Sequence, residues 1–292
     1  MRIELKKGGL AAAADTQGGE LVSLRGQDGV EYIWQGDPAY WSGRNPILFP
    51  IVGELKDGAV TIGGETCAMA RHGFARKSAF SLVEQGADYA ELALTESPDT
   101  LTSYPFRFRL TVRHTLLADG FRSDFRVENT DSRPMMFCLG GHTGLNCPLR
   151  QGERFEDYQL VFEKGEPSRP YGIDGAGIAH REYAHPYLEG GSTKPMDRAD
   201  YAKGVLIFEK LRSRSMDLVH KQTGRGVRFS FGGFPFFGTW QPETGEPPFV
   251  CLEPWAGMAA HFDETGRFED KPGSVTLTPG DRYGAWYRVQ IL

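Results

Sequence analysis

Between Phe106 and Leu116 the chain alternates with period two. Phe106, Phe108, Leu110, Val112 and Leu116 are apolar, His114 is the exception, and every residue between them is Arg or Thr. Successive side chains of a strand point to opposite faces, so this run reads as a strand with one dry and one wet face. Ala118-Asp119-Gly120 is a turn signal, after which Phe121, Ser123, Phe125 and Val127 alternate with Arg122, Asp124, Arg126 and Glu128. The two runs predict an antiparallel hairpin. Further strands fall at 79–83 and 89–95 around Gly86-Ala87-Asp88, at 227–231, and at the end, where Tyr283, Ala285, Tyr287, Val289 and Ile291 alternate. No stretch keeps a 3.6-residue period over three turns, while turn formers abound, with 37 Gly and 18 Pro. An all-β fold of antiparallel sheets with little helix is expected, either a sandwich or a barrel.

At 292 residues the chain has room for one domain or two. The segment 165–203, rich in Gly, Pro, Asp and His, is the least regular. No composition shift accompanies it, so it reads as a long loop within a single domain spanning 1–292. The net charge of −5 and the lack of any basic run argue against a nucleic-acid partner. No apolar stretch approaches the ~18 residues of a membrane helix. The charges of Met1-Arg2-Ile3-Glu4-Leu5-Lys6-Lys7 interrupt any signal-peptide core. A cytoplasmic protein without membrane contact is expected, as monomer or homodimer. Cys67, Cys138, Cys147 and Cys251 lack metal-finger or CxxC spacing and read as reduced, mostly buried thiols.

Three segments are unlike ordinary strand or turn: Arg71-His72-Gly73-Phe74-Ala75-Arg76, Gly140-Gly141-His142-Thr143-Gly144-Leu145-Asn146-Cys147-Pro148, and Val250-Cys251-Leu252-Glu253-Pro254-Trp255-Ala256-Gly257. Each sets an ionisable residue beside Gly or Pro, which permit close approach and stiff presentation. His114, on a dry strand face, reads as a core residue, and His180, His185 and His220 as water-facing ones. His142 stands apart because two glycines precede it. Glu253 lies in an apolar stretch, where a carboxylate is paired, exposed at a strand end, or functional. Trp240 and Trp255 are either core or platforms for the apolar face of a sugar ring. HExxH, P-loop, GxSxG and GxGxxG motifs are all missing, so no local metal, phosphate or dinucleotide signature exists. The remaining set suits acid–base work on a neutral, polar small molecule.

These segments, with Arg44-Asn45-Pro46-Ile47-Leu48-Phe49-Pro50-Ile51-Val52-Gly53, resemble the aldose 1-epimerase (galactose mutarotase-like) family, in particular its LacX-like branch. The resemblance runs from about Arg44 to Gly257. It implies a galactose mutarotase-like β-supersandwich, a monosaccharide substrate, and mutarotation without metal or other cofactor. It also implies roles: Glu253 as general base, His142 as general acid, His72 as a second histidine holding the sugar, and Arg44 as a sugar-binding arginine. Trp240, Trp255 and Asn146 complete the expected binding set. The chain departs from the branch at Thr143-Gly144, where Pro is common, and at Ala260, where Asp is common. For a further site acid, Glu209 and Asp217 both stay open.

Three rivals remain. A non-catalytic sugar-binding protein would keep Trp240 and Arg44 but has no need of both His142 and Glu253. A hexose-6-phosphate epimerase requires a cationic pocket, for which Arg71, Arg76 and Lys77 are candidates. A glycosidase requires two carboxylates flanking one bond, and only one strong carboxylate is found.

Overall fold

The computed structural model describes residues 1–243 and 245–292. The expected hairpin forms from strands Phe108–Leu117 and Gly120–Asn129, joined by Ala118-Asp119. It is central to a nine-stranded antiparallel sheet. From one edge the order is Thr193–Pro195, Tyr158–Phe162, Ser215–His220, Gly226–Gly232, Arg282–Ile291, Gly120–Asn129, Phe108–Leu117, Tyr89–Thr95 and Ser81–Gln85. Alternation built it: Phe108, Leu110, Val112, His114 and Leu116 are all buried, while Arg109, Arg113 and Thr115 on the other face are not. The strand expected at 79–83 begins two residues later, because Ala79 instead bridges to Gln17.

A second sheet runs Leu206–Phe208, Phe236–Trp240, Phe249–Ala256, Leu139–Gly141 and Ile47–Leu48, with Thr143–Asn146 also paired to Phe249–Ala256. The two sheets pack face to face. Phe231 of the large sheet stacks on Phe237 of the smaller one at 4.9 Å between centroids. The Tyr287 hydroxyl donates across to Asn45 Oδ1 at 2.9 Å, and Thr143 Oγ1 donates to the same oxygen at 2.8 Å. Each Phe fully removed from water contributes about 1.5–3 kcal/mol. The dry interface therefore supplies a large part of the driving force, and one core cluster includes residues from Ile3 to Val289. Strands Arg2–Lys7, Leu10–Asp15 and Leu21–Arg25 form a separate small sheet. The α-helix Pro98–Ser103 has six residues, with a capping box between Ser97 and Thr100. Among the described residues no helix is long and apolar enough to cross a membrane.

His114 behaves as the strand pattern asked: its ring is wholly buried, with Nδ1 2.8 Å from Ser123 Oγ and Nε2 2.9 Å from the Gly19 carbonyl. All four cysteines are free and buried.

Candidate active site

The smaller sheet turns one face to the core and the other to a cavity of about 260 Å³. Its central strand, Phe249–Ala256, is buried along all eight residues. On one side it pairs with 139–146, a strand interrupted only at His142. Gly140 pairs with Trp255 and Thr143 with Leu252. That register sets His142 directly opposite Glu253, and residues opposite one another in an antiparallel pair project to the same face. His142 Nε2 lies 3.4 Å from Glu253 Oε1. On the other side Gly238 is opposite Glu253, and Trp240 is opposite Cys251.

Glycines keep this face open. A Cβ on Gly238 would stand 2.4 Å from the Trp255 ring, and one on Gly140 would stand 2.7 Å from it, so the indole lies in the space two missing side chains leave. Gly141 serves the opposite face, where a Cβ would meet Tyr287 at 2.8 Å. The Gly-Gly-His segment thus has a geometric cause on each side of the sheet.

His72 arrives from the loop after strand Glu65–Ala68 and holds a left-handed backbone, φ 67°. For a residue with a Cβ this conformation is strained by about 1–3 kcal/mol. Reciprocal bonds hold it: the His72 N–H donates to the Gly53 carbonyl at 2.9 Å, and the Gly53 N–H donates to His72 Nδ1 at 3.0 Å. With Nδ1 accepting, the neutral ring carries its proton on Nε2. The His72 and His142 rings stand edge to face at 5.5 Å. Trp41 stacks on His142 at 4.8 Å, and Trp240 meets the same ring edge-on at 5.5 Å.

Burial dominates the electrostatics. It pushes the Glu253 carboxyl well above its ordinary value, and the neighbouring Trp255 indole pulls weakly the other way. It pushes His142 down to about 3, helped by the Arg76 cation. It also lowers His72, with the His142, Arg76 and Arg71 charges adding to the effect. Glu253 Oε1, His142 Nδ1 and Trp255 Nε1 are buried with no hydrogen-bond partner among the described residues. Polar atoms left so in a dry site are costly unless a ligand completes them.

The cavity is lined by His72, His142, Glu253, Trp240 and Trp255, as the sequence suggested, and also by Trp41, Arg71 and Arg76. Arg44 and Asn146 do not line it. Arg44 Nε donates to the Gln35 carbonyl at 3.1 Å, and the Asn146 amide donates to the Glu31 and Ile33 carbonyls at 2.8 and 3.3 Å. Both side chains are occupied in tying the 31–35 segment to the sheet. Glu209 and Asp217 also lie elsewhere, Glu209 accepting from Tyr171 and Arg181, and Asp217 paired with Arg228. Trp41 was missed, since its only sequence signal is its place three residues before Arg44. The 165–203 loop supplies wall: Ile173 and Gly177 line the cavity, and a Cβ on Gly177 would stand 2.8 Å from Glu54 Cγ. His180 in this loop is not a plain water-facing residue. Its ring lies between Tyr183 and Phe262, at 4.7 and 5.1 Å, with Asp174 and Glu182 at its two nitrogens. Ala260, at the position where Asp is common, is buried; its N–H donates to the Glu54 carbonyl and its carbonyl accepts from Ala179 N–H.

A buried carboxyl and two imidazoles beneath an aromatic-walled cavity are groups capable of acid–base chemistry on a small polar ligand. The chain belongs to the aldose 1-epimerase family, matching it over residues 1–290. It is similar to the plasmid-encoded protein LacX of Lactococcus lactis subsp. lactis, at 36% identity over 100% of both chains, and to the chromosomal LacX of the same organism at 35% over 100% of both. Among solved structures it is similar to a galactose mutarotase related enzyme from Lactobacillus acidophilus, with TM-score 0.93, 26% identity, and 100% and 97% of the two chains covered. It is equally similar to a galactose mutarotase-like protein from Lactobacillus casei, with TM-score 0.93, 27% identity and 100% of both chains covered. The fold is therefore the galactose mutarotase-like all-β sandwich of antiparallel sheets.

Proposed function

We propose that the protein is a cofactor-independent aldose 1-epimerase that interconverts the α and β anomers of a free aldohexose such as galactose or glucose. The observation that carries this reading is the 3.4 Å approach of His142 Nε2 to Glu253 Oε1 on the cavity floor. Both oxygens that exchange protons in mutarotation are bonded to C1, so acid and base must converge on one spot. The cavity, about 260 Å³, is just below the range of drug-sized ligand pockets, about 300–1,000 Å³. That suits one sugar ring.

In this mechanism the pair carries one proton in all, held either as carboxylate and imidazolium or as carboxyl and imidazole, the form that burial favours. In the first form the carboxylate takes the C1 hydroxyl proton while the imidazolium protonates the ring oxygen. The C1–O bond of the ring breaks, and the aldehyde rotates about C1–C2. Opening leaves the neutral form, which a dry cavity favours, so proton transfer runs with the electrostatics. Reclosure on the other face returns both protons. Each general acid or base contributes about 10²–10⁴-fold. His72, with its proton fixed on Nε2, is a donor to a sugar hydroxyl. Trp41, Trp240 and Trp255 offer flat faces to the C–H side of the ring. The test is optical rotation of α-D-galactose and α-D-glucose with wild type and Glu253→Gln. Acceleration by wild type alone supports the assignment, and equal rates with and without wild type overturn it for these sugars.

One observation favours a second reading, a hexose-6-phosphate 1-epimerase. Arg76 lines the cavity, yet among the described residues its guanidinium has no ion pair or hydrogen bond. Arg71, by contrast, is already held by Glu54 at 2.6 Å. A strong preference for glucose 6-phosphate, lost in Arg76→Gln, would select this reading.

A further inference from the structure

Cys251 is a nucleophilic side chain that mutarotation leaves unused. It lies two residues before Glu253 on the same strand and so projects to the same face. The residue opposite it is Gly144, which has no side chain to come between the thiol and His142. One ring nitrogen of His142, the Cys251 sulfur and one Glu253 oxygen all lie within 4.8 Å of one another, and all three residues are buried. Among the described residues no other three His, Cys, Asp or Glu side chains converge so closely. The Glu253 and His142 side chains are each more than nine-tenths buried, and among the described residues Glu253 Oε1 and, on the His142 ring, Nδ1 have no hydrogen-bond partner.

We propose that His142, Cys251 and Glu253 form a binding site for a zinc-class divalent cation, and that occupation of this site excludes the sugar. A nitrogen, sulfur and oxygen set suits a borderline-soft ion of tetrahedral habit. Three donors within 4.8 Å need only small rotamer shifts to reach the ~2.0–2.3 Å bond lengths of zinc. His142 and Glu253 line the cavity, so a fourth position on that side would be open to water or a small ligand. Magnesium and calcium are poor fits, since both require oxygen-rich shells. The bound ion would hold the acid and the base of the proposed reaction in one coordination sphere, leaving neither free for proton exchange. The inhibition arm rests on the mutarotation reading, whereas the binding arm does not.

The test begins without sugar. Apoprotein is titrated with zinc against a chromophoric chelator, and with cobalt followed in the near ultraviolet. One equivalent is expected to bind, with a thiolate-to-cobalt charge-transfer band. Cys251→Ser is expected to abolish the band and weaken zinc binding by about 10-fold or more. His180→Gln, which alters the surface cluster with Asp174 and Glu182, is expected to leave both unchanged. The thermal midpoint of Cys251→Ser is read first, with Cys251→Ala as the alternative if the serine variant is poorly folded. Absence of the band, or zinc binding equal in wild type and the folded Cys251 variant, overturns the site. In the second arm zinc slows mutarotation by wild type, sugar protects, and the Cys251 variant resists. Equal inhibition of both proteins also overturns the proposal. A protein that binds zinc through Cys251 yet turns over no aldose would support the site and defeat the mutarotation reading.

Discussion

His142 and Glu253 face each other across one antiparallel register, Nε2 of the one 3.4 Å from Oε1 of the other. Their separation is fixed by strand pairing rather than by loop conformation. The proposed activity rests on that placement and on the dryness around it.

Glu253→Gln keeps the shape and removes the base. Mutarotation is expected to fall by about 10²–10⁴-fold. Stability should move the other way in alkali. The folded carboxyl holds its proton more tightly than the unfolded one, so wild type loses stability as pH rises through and above the ordinary carboxyl range. Gln carries no such cost. Thermal midpoints at about pH 5 and about pH 8.5 check this, and the advantage of the variant should appear only at the higher pH.

The pH–rate profile should be a wide plateau. His142 is pushed down to about 3 and Glu253 well up, so the pair keeps one proton across the neutral range. A profile of kcat/KM should show no inflection at the ordinary histidine value near 6.5. A clear break there would remove the shared-proton account.

His114 should govern acid stability. Its folded pKa is about 4, below the ordinary 6.5, because the ring is buried. The unfolded chain therefore binds the proton first. Stability is complete above about 6.5 and is lost as pH falls to 4 and below, by about 3.5 kcal/mol at about 1.4 kcal/mol per pH unit. His114→Asn should be less stable at neutral pH by about 1–3 kcal/mol, from the lost bonds to Ser123 and Gly19. Its urea midpoint should vary less between about pH 6.5 and 4.

Gly238→Ala tests the open floor. The new Cβ would stand 2.4 Å from the Trp255 ring and must push the indole. A cost of about 1–3 kcal/mol in stability is expected, with a raised KM. Chemical denaturation and sugar titration of the same preparation read the two effects.

The wall loop gives a different signature. His180→Gln removes a ring held between Tyr183 and Phe262, and the pairing with Asp174 and Glu182. Ile173 and Gly177 of the same loop line the cavity. KM should rise while kcat stays near wild type, because no proton-transfer group has moved.

The hairpin at 108–129 was legible in the sequence because period-two alternation is a local property of a half-dry strand. His142 and Glu253 stood out in the sequence by their glycine and proline surroundings and by the family resemblance. The implied roles require the two side chains to meet in a cleft, as they do, but the register that brings them together, between segments remote along the chain, was not legible. Arg44 and Asn146 show the converse limit. Their positions beside the motifs pointed to the ligand, but backbone carbonyls of 31–35 captured both side chains. Trp41 gave no local signal, since its role exists only where it stacks on His142. The absence of a local metal motif was likewise silent on His142, Cys251 and Glu253, which only the sheet assembles.

The proposed proton-handling pair is mounted on the sheet, while part of the cavity wall comes from the 165–203 loop. This arrangement separates two kinds of inheritance. Insertions and substitutions in the loop can redraw which sugar fits without disturbing the spacing of the reacting atoms, since that spacing is ruled by interstrand hydrogen bonds. On this scaffold the shape of the cavity and the spacing of the facing pair can thus be altered independently.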